Sequence, residues 1–270
     1  MKTWVSSGRF RHPAGLAIRI GFRPEEFNVK RTVCTALLLL SCSVSLWAAT
    51  QPDTSPFDAV LAARAKNGGF DYKGVDGQDK KRFAAYLANI GDAKPAEMAP
   101  DEKKAFYINA YNVVAIQTLL DNPGKKITDI EGAFNKIKHK VGGEMLTLDD
   151  IENKLREGKD ARIHFAIVCA SKSCPPLATK AYRAEGLSGT LDKQGRLFVN
   201  DPTKNVIDKS KNRISLSMIF NWNRKEFERD GGTLLKYVSK YVNDPATAAW
   251  VASSTTEPDF LQYDWNPNQP

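Results

Sequence analysis

Cys169 and Cys174 lie within Arg162-Ile163-His164-Phe165-Ala166-Ile167-Val168-Cys169-Ala170-Ser171-Lys172-Ser173-Cys174-Pro175-Pro176-Leu177, a run that also holds one of the chain's three histidines. These residue types allow two chemistries. A thiolate with an imidazole to take its proton is a nucleophile for hydrolysis or acyl transfer. Two thiols at this spacing can also form a disulfide, because four intervening residues let the chain turn and bring the Cα atoms within range. Pro175 suits the first position of a helix. It predicts Cys174 at a helix mouth, where unpaired N–H groups and the dipole favour the thiolate. Phe165 to Cys169 is short and apolar and reads as a buried strand. On such a strand His164 and Cys169 face opposite sides, so His164 meets Cys174 only if the following loop folds back over the sheet.

The remaining polar candidates sit on elements that otherwise read as core. Glu102 to Leu120, with Asp101 as N-cap and a stop at Asp121-Asn122-Pro123-Gly124, is a helix apolar on nearly every side. Asn109 and Asn112 share one face of it. A buried amide without partners costs about 1–3 kcal/mol, so both must be bonded. They either satisfy the backbone of a loop or orient a catalytic group. Asp150 to Arg156, begun at Thr147 or Asp149, predicts a helix carrying Glu152. The candidate catalytic set is Cys174 as nucleophile, His164 as base, and Asn109, Asn112 or Glu152 to orient that base. These groups are expected to converge on one pocket, since burying them separately would need several compensations.

The competing reading is a non-catalytic module. In it Cys169–Cys174 is a disulfide pinning a turn, worth at most about 3 kcal/mol, His164 is a satisfied core residue and the asparagines are structural. A redox dithiol ranks third, because its spacing is not the two-residue spacing of thioredoxin-like motifs.

The surrounding pattern predicts helices at Phe57 to Ala65 and Lys80 to Ile90, a loop or short strand at Tyr72 to Gly77, and a short strand at Met145 to Leu148. Leu187 to Leu191 and Arg196 to Val199 read as strands about an Asp192-to-Gly195 turn, continued by Val206 to Asp208 and Arg213 to Leu216. Helices follow at Met218 to Arg229, Thr233 to Val242 and Ala246 to Ala252, and Phe260 to Trp265 alternates like a last strand. His139 falls in a basic tract that reads as a solvated loop, and Trp222, Trp250 and Trp265 read as core anchors. The expected architecture is a single α+β domain with a central buried helix packed on an antiparallel sheet and helical N- and C-terminal flanks.

The chain has 270 residues, 42% of them hydrophobic, and a net charge of +8. Residues 30–49 start with Lys30-Arg31, continue through an apolar run too short to span a membrane, and end in small residues. That pattern predicts a cleaved signal peptide and an exported, periplasmic or secreted protein. Residues 1–29 are polar for a leader, which leaves a misplaced start near Val29 or an unusually long leader as alternatives. Leu39-Leu40-Ser41-Cys42 resembles a lipobox and would make Cys42 a lipid anchor, a weaker reading because Val44, Leu46 and Trp47 follow. Residues 50–56 read as a linker and 57–270 as the globular domain. Residues 1–49 carry a net +5, so their removal lowers +8 to +3 and leaves no case for nucleic-acid binding. No phosphate loop, zinc-spaced Cys/His set or Gly-x-Ser-x-Gly elbow is present, so no cofactor is expected and the ligand is an unidentified small molecule or peptide.

Ala105-Phe106-Tyr107-Ile108-Asn109-Ala110-Tyr111-Asn112, Leu148-Asp149-Asp150-Ile151-Glu152-Asn153, Arg162-Ile163-His164-Phe165-Ala166 through Cys169, Ser173-Cys174-Pro175 and Tyr263-Asp264-Trp265 together resemble the family named domain of unknown function 547. The resemblance covers about Met98 to Trp265. It implies no assigned activity. Bacterial members commonly carry export signals, and some plant members resemble fusions with glutaredoxin-like modules, which points toward thiol chemistry. The family pattern often has a histidine where this chain has Asn153.

Overall fold

The computed structural model describes residues 51–270. The expected signal peptide and Cys42 lie outside them. The described chain opens with α1 (Ser55–Arg64), a small hairpin of β1 (Ala65–Lys66) and β2 (Gly69–Phe70), α2 (Gly77–Asp92) and α3 (Pro100–Leu120). The hairpin β3 (His139–Val141) and β4 (Glu144–Leu146) leads into α4 (Leu148–Arg156), and an irregular stretch then runs to α5 (Leu187–Val199). The C-terminal part comprises β5 (Val206–Asp208), β6 (Arg213–Ser217), α6 (Met218–Trp222), α7 (Arg224–Gly231), α8 (Leu234–Ser239), α9 (Pro245–Ser253) and β7 (Asp259–Leu261). Helices dominate, and three small sheets complete an α+β domain.

From Ala105 to Ile116 every side chain of α3 is buried, as its all-round apolar sequence requires. Pro100 occupies its first turn and Ala99, not Asp101, its N-cap, while the Glu102 carboxylate accepts from the Ala99 N–H at 3.2 Å. The helix packs chiefly against α2 and α4 rather than on a sheet. Of the two expected starts, Thr147 rather than Asp149 caps α4, and it exchanges hydrogen bonds with Asp150.

Several strand expectations are corrected. Ala161–Phe165 is a 3-10 turn, capped by the Asp160 carboxylate accepting from Arg162 N–H, and the chain beyond it pairs with no neighbouring strand until Ser171 bridges Pro267. The reason lies in α3: Asn112 Nδ2 donates to Ala166 O at 2.9 Å, and its Oδ1 accepts from Val168 N–H at 2.8 Å. One amide supplies what a strand partner would have supplied, so a buried backbone is satisfied without a sheet.

No helix starts at Pro175 either. Cys174 precedes a proline and Pro175 precedes another, which biases both away from helical angles. Leu187 to Val199 is one helix, not two strands about a turn. Gly195, read as turn chemistry, is a packing glycine whose added Cβ would lie 2.7 Å from the Tyr241 ring and 2.9 Å from Phe165. Met218 to Arg229 breaks at Asn223 into α6 and α7. The last strand pairs in parallel with β6, so the β5-β6-β7 sheet is mixed.

Two apolar clusters form the core, one around α1–α4 and one around α5–α9. The segment 161–170 runs along their seam: Ala161 and Phe165 belong to the second, Ile163, Val168 and Ala170 to the first. Such seams are where clefts form.

Candidate active site

A cleft of about 160 Å³ opens at this seam, lined by Tyr111, Phe134, Glu152, His164, Ile167, Cys169, Cys174, Ile219, Trp222, Asn223, Tyr263 and Trp265. Four of the sequence candidates thus share it: Cys174, Cys169, His164 and Glu152. Asn109 and Asn112 do not line it.

The cysteine wall is an irregular loop shaped by its neighbours. Ala170, fully buried, takes φ +62°, a left-handed angle that costs a non-glycine residue roughly 1–2 kcal/mol. The C-terminal tail holds that turn in place. Asn268 N–H donates to Ala170 O at 3.1 Å, Lys172 N–H to Asn266 O at 2.7 Å, Ser173 N–H to Asp264 O at 3.1 Å, and Asp264 N–H to Ser173 Oγ at 2.8 Å. Tyr72 OH and Phe70 N–H anchor the tail through Asn268, each at 2.7 Å.

The loop so held gathers donors on one sulfur. Cys174 Sγ lies 3.1 Å from Cys169 N–H, 3.1 Å from Ser171 Oγ, 3.2 Å from Tyr263 OH and 2.7 Å from Cys169 Sγ. Burial pushes the Cys174 thiol up, but the hydrogen bonds from Cys169, Ser171 and Tyr263 outweigh it and leave the thiol below its ordinary value. The hydrogen bond to Cys174, with burial, drives Cys169 the other way. Within the pair, these neighbours favour the charge on Cys174 over Cys169. Burial and the adjacent thiolate raise the Tyr263 phenol, so it stays a donor. The expected helix dipole is replaced by side-chain and loop donors. The two cysteines are not joined in a disulfide.

The opposite wall is helical. His164 Nε2 lies 3.1 Å from Glu226 Oε2 and Nδ1 3.8 Å from Glu152 Oε1. Arg156 ties both carboxylates together, donating to Glu226, to Glu152 at 2.6 Å and to Asn223 Oδ1 at 2.7 Å. Burial, with the Arg156 and Arg229 guanidiniums, holds the His164 imidazole down to about 3. The Glu226 carboxylate acts in the opposite sense, but its charge is shared with Arg156. As a neutral ring against a carboxylate, His164 carries its proton on Nε2. It faces the cleft, and the partners of Cys174 Sγ are other groups.

Asn109 mirrors Asn112: its Nδ2 donates to Tyr182 O and its Oδ1 accepts from Tyr182 N–H, both at 2.8 Å. Both amides are thus spent on backbone. Asn112 fixes the strand-like approach to Cys169, and Asn109 fixes a loop away from the cleft. Ser171, Arg156 and Glu226 carry no local pattern that marks them for the site, yet all three contact its titratable groups. Tyr263 and Trp265, read from the sequence as part of an alternating tail and Trp265 also as a core anchor, both line the cleft. Trp222, expected in the core, is 50% exposed and stacks on Trp265 with ring centres 5.7 Å apart.

Residues 95–199 match the family model described as protein of unknown function, DUF547. The match covers 105 of the 270 residues, so the chain is similar to that family over this stretch. No curated protein and no solved structure matches the chain. The matched stretch supplies α3, Glu152, His164 and both cysteines, while Trp222, Glu226, Tyr263 and Trp265 come from beyond it. Among the described residues no group of three or more His, Cys, Asp or Glu is placed to hold a metal ion, and no helix is long and apolar enough to cross a membrane.

Proposed function

We propose that this protein is a thiol enzyme that exchanges disulfides through Cys174 and Cys169. The observation that carries the reading is the convergence of Cys169 N–H, Cys169 Sγ, Ser171 Oγ and Tyr263 OH on Cys174 Sγ inside a cleft. A thiolate held this way is a nucleophile without a base beside it. The Cys174 thiolate attacks one sulfur of a substrate disulfide; a Cys174–substrate bond forms, the substrate S–S bond breaks, and the departing thiolate takes a proton from solvent. With its charge gone, Cys174 no longer holds the Cys169 thiol up. Cys169 then ionises and attacks Cys174 Sγ, forming the Cys169–Cys174 disulfide and releasing the second substrate thiol. Two electrons pass from protein to substrate, and a small dithiol reductant returns them.

A second reading, a cysteine-dependent hydrolase or acyl transferase, is favoured by His164 and Glu152 lining the same cleft. In it Cys174 attacks an acyl carbon and Cys169 is dispensable. Mass spectrometry of the Cys169→Ser variant after exposure to a small disulfide separates the two. Exchange is expected to leave a stable adduct on Cys174, where the reduced parent protein closes its own disulfide and loses two hydrogens. A Cys169→Ser variant that turns over acyl substrates undiminished favours the hydrolase. If the reduced parent protein reacts with neither class, the disulfide-stapled module replaces both. We infer export from residues 30–49, since thiol exchange has substrates in an oxidising compartment; N-terminal sequencing of the exported protein is expected to start near Thr50, after cleavage near Ala48 or Ala49.

A further inference from the structure

Resting on the disulfide-exchange reading, we propose that the cleft selects disulfides whose thiol half carries a cationic ammonium group. The argument comes from what faces the cavity. Its lining contains one carboxylate, Glu152, and no lysine or arginine. Arg156, Arg229 and Lys204 stand near these groups, but none of them lines the cleft, where Glu152 and the Cys174 sulfur face an entering ligand. The field at the cleft is therefore negative, and a cation entering it is favoured over an anion.

An independent feature points the same way. Trp222, Tyr263 and Trp265 form an aromatic shelf beside the cysteines, with ring centres 4.8 Å apart for Trp222–Tyr263 and 4.5 Å for Tyr263–Trp265. The half-exposed face of Trp222 leaves π-surface unused within the protein. Ammonium groups are attracted to such faces, tryptophan best of all. Size sets the last limit, since the cavity is only about 160 Å³. A two-carbon aminothiol half fits, and a larger disulfide must leave its remainder in solvent.

The test compares three small disulfides on the reduced full chain: cystamine (cationic), bis(2-hydroxyethyl) disulfide (neutral) and 3,3′-dithiodipropionate (anionic). Each rate is divided by that of the same disulfide with a free cysteine peptide at equal pH and salt, which removes differences in leaving group. The normalised rate for cystamine is expected to exceed the neutral reagent's by tenfold or more, with the anionic reagent slowest, and the spread should narrow as salt rises. Glu152→Gln and Trp222→Leu should each shrink the cystamine-to-neutral ratio at least threefold. Because Trp222 is exposed, its variant keeps the test open if Glu152→Gln disturbs Arg156. Normalised rates within twofold of one another, or faster reaction of the anion, overturn the inference while leaving disulfide exchange standing. No reaction with any of the three overturns the exchange reading itself and this inference with it.

Discussion

On one wall of the cleft the polar groups converge on a single sulfur, and on the other they are satisfied by one another. Around Cys174 a backbone N–H, two hydroxyls and a thiol gather within 3.2 Å of one sulfur, an atom that can carry charge. Around His164 the carboxylates are already paired through Arg156, and the imidazole is bonded to Glu226. The difference teaches where reactivity resides. A thiol whose neighbours favour its charged form is poised to react, whereas an imidazole held neutral within a closed network positions the cleft.

Replacing the sulfur is the widest break. Cys174→Ser is expected to abolish disulfide exchange altogether, measured as loss of adduct formation over hours.

The two asparagines of α3 give the next largest effect, and they divide. Each spends its whole amide on a buried backbone, so Asn109→Ala and Asn112→Ala are each expected to lower stability by about 2–4 kcal/mol in urea unfolding, since each leaves both an N–H and a C=O unpaired. Only Asn112→Ala should also slow reaction at Cys174, because only Asn112 holds the 166–168 backbone that leads to Cys169. Equal effects on reactivity would erase the distinction between site and scaffold along this helix.

Tyr263→Phe sharpens the charge side of the comparison. Removing one donor from a thiolate costs about 1.5 kcal/mol, which corresponds to about one pH unit. The pH at which Cys174 alkylation is half-maximal should rise by about that much, with a tenfold slower reaction on the acidic side. The same linkage sets a stability profile. Cys174 is lowered in the fold, so its contribution is complete above the ordinary thiol pKa of about 8.5 and is lost as pH falls through its lowered value. Cys169 is raised and subtracts stability above that same ordinary value.

His164→Gln has the smallest expected effect, less than threefold on disulfide exchange. A loss of a hundredfold would move the chemistry to the other wall and favour the hydrolase. In the unmodified protein, His164 is lowered to about 3 from an ordinary 6.5. Stability should therefore decline as pH drops from 6.5 toward 3, where the unfolded ring takes a proton that the folded ring refuses.

Much of the helical frame was legible because periodicity and caps are local: α3, its stop at Asp121, and the Thr147 cap of α4 all follow from residues within one or two turns. The strands near the site were not, and Asn112 shows why. A short buried apolar run announces that its backbone must be satisfied, but the partner was a side chain some fifty residues earlier. Gly195 carried the same ambiguity, since close packing and tight turns both call for a missing Cβ. The cysteines and His164 were legible as unusual types in a core-like stretch. That Tyr263 would close over them depends on a tail folding back across some ninety residues, which no local pattern encodes.

The most direct measurement is the pH dependence of iodoacetamide alkylation at Cys174 in the reduced full chain, mapped by mass spectrometry. A half-maximal rate at least one pH unit below the ordinary thiol value of about 8.5 is the result expected of a sulfur held by Cys169, Ser171 and Tyr263. A half-maximal rate at or above 8.5, or alkylation confined to Cys169, would contradict the account.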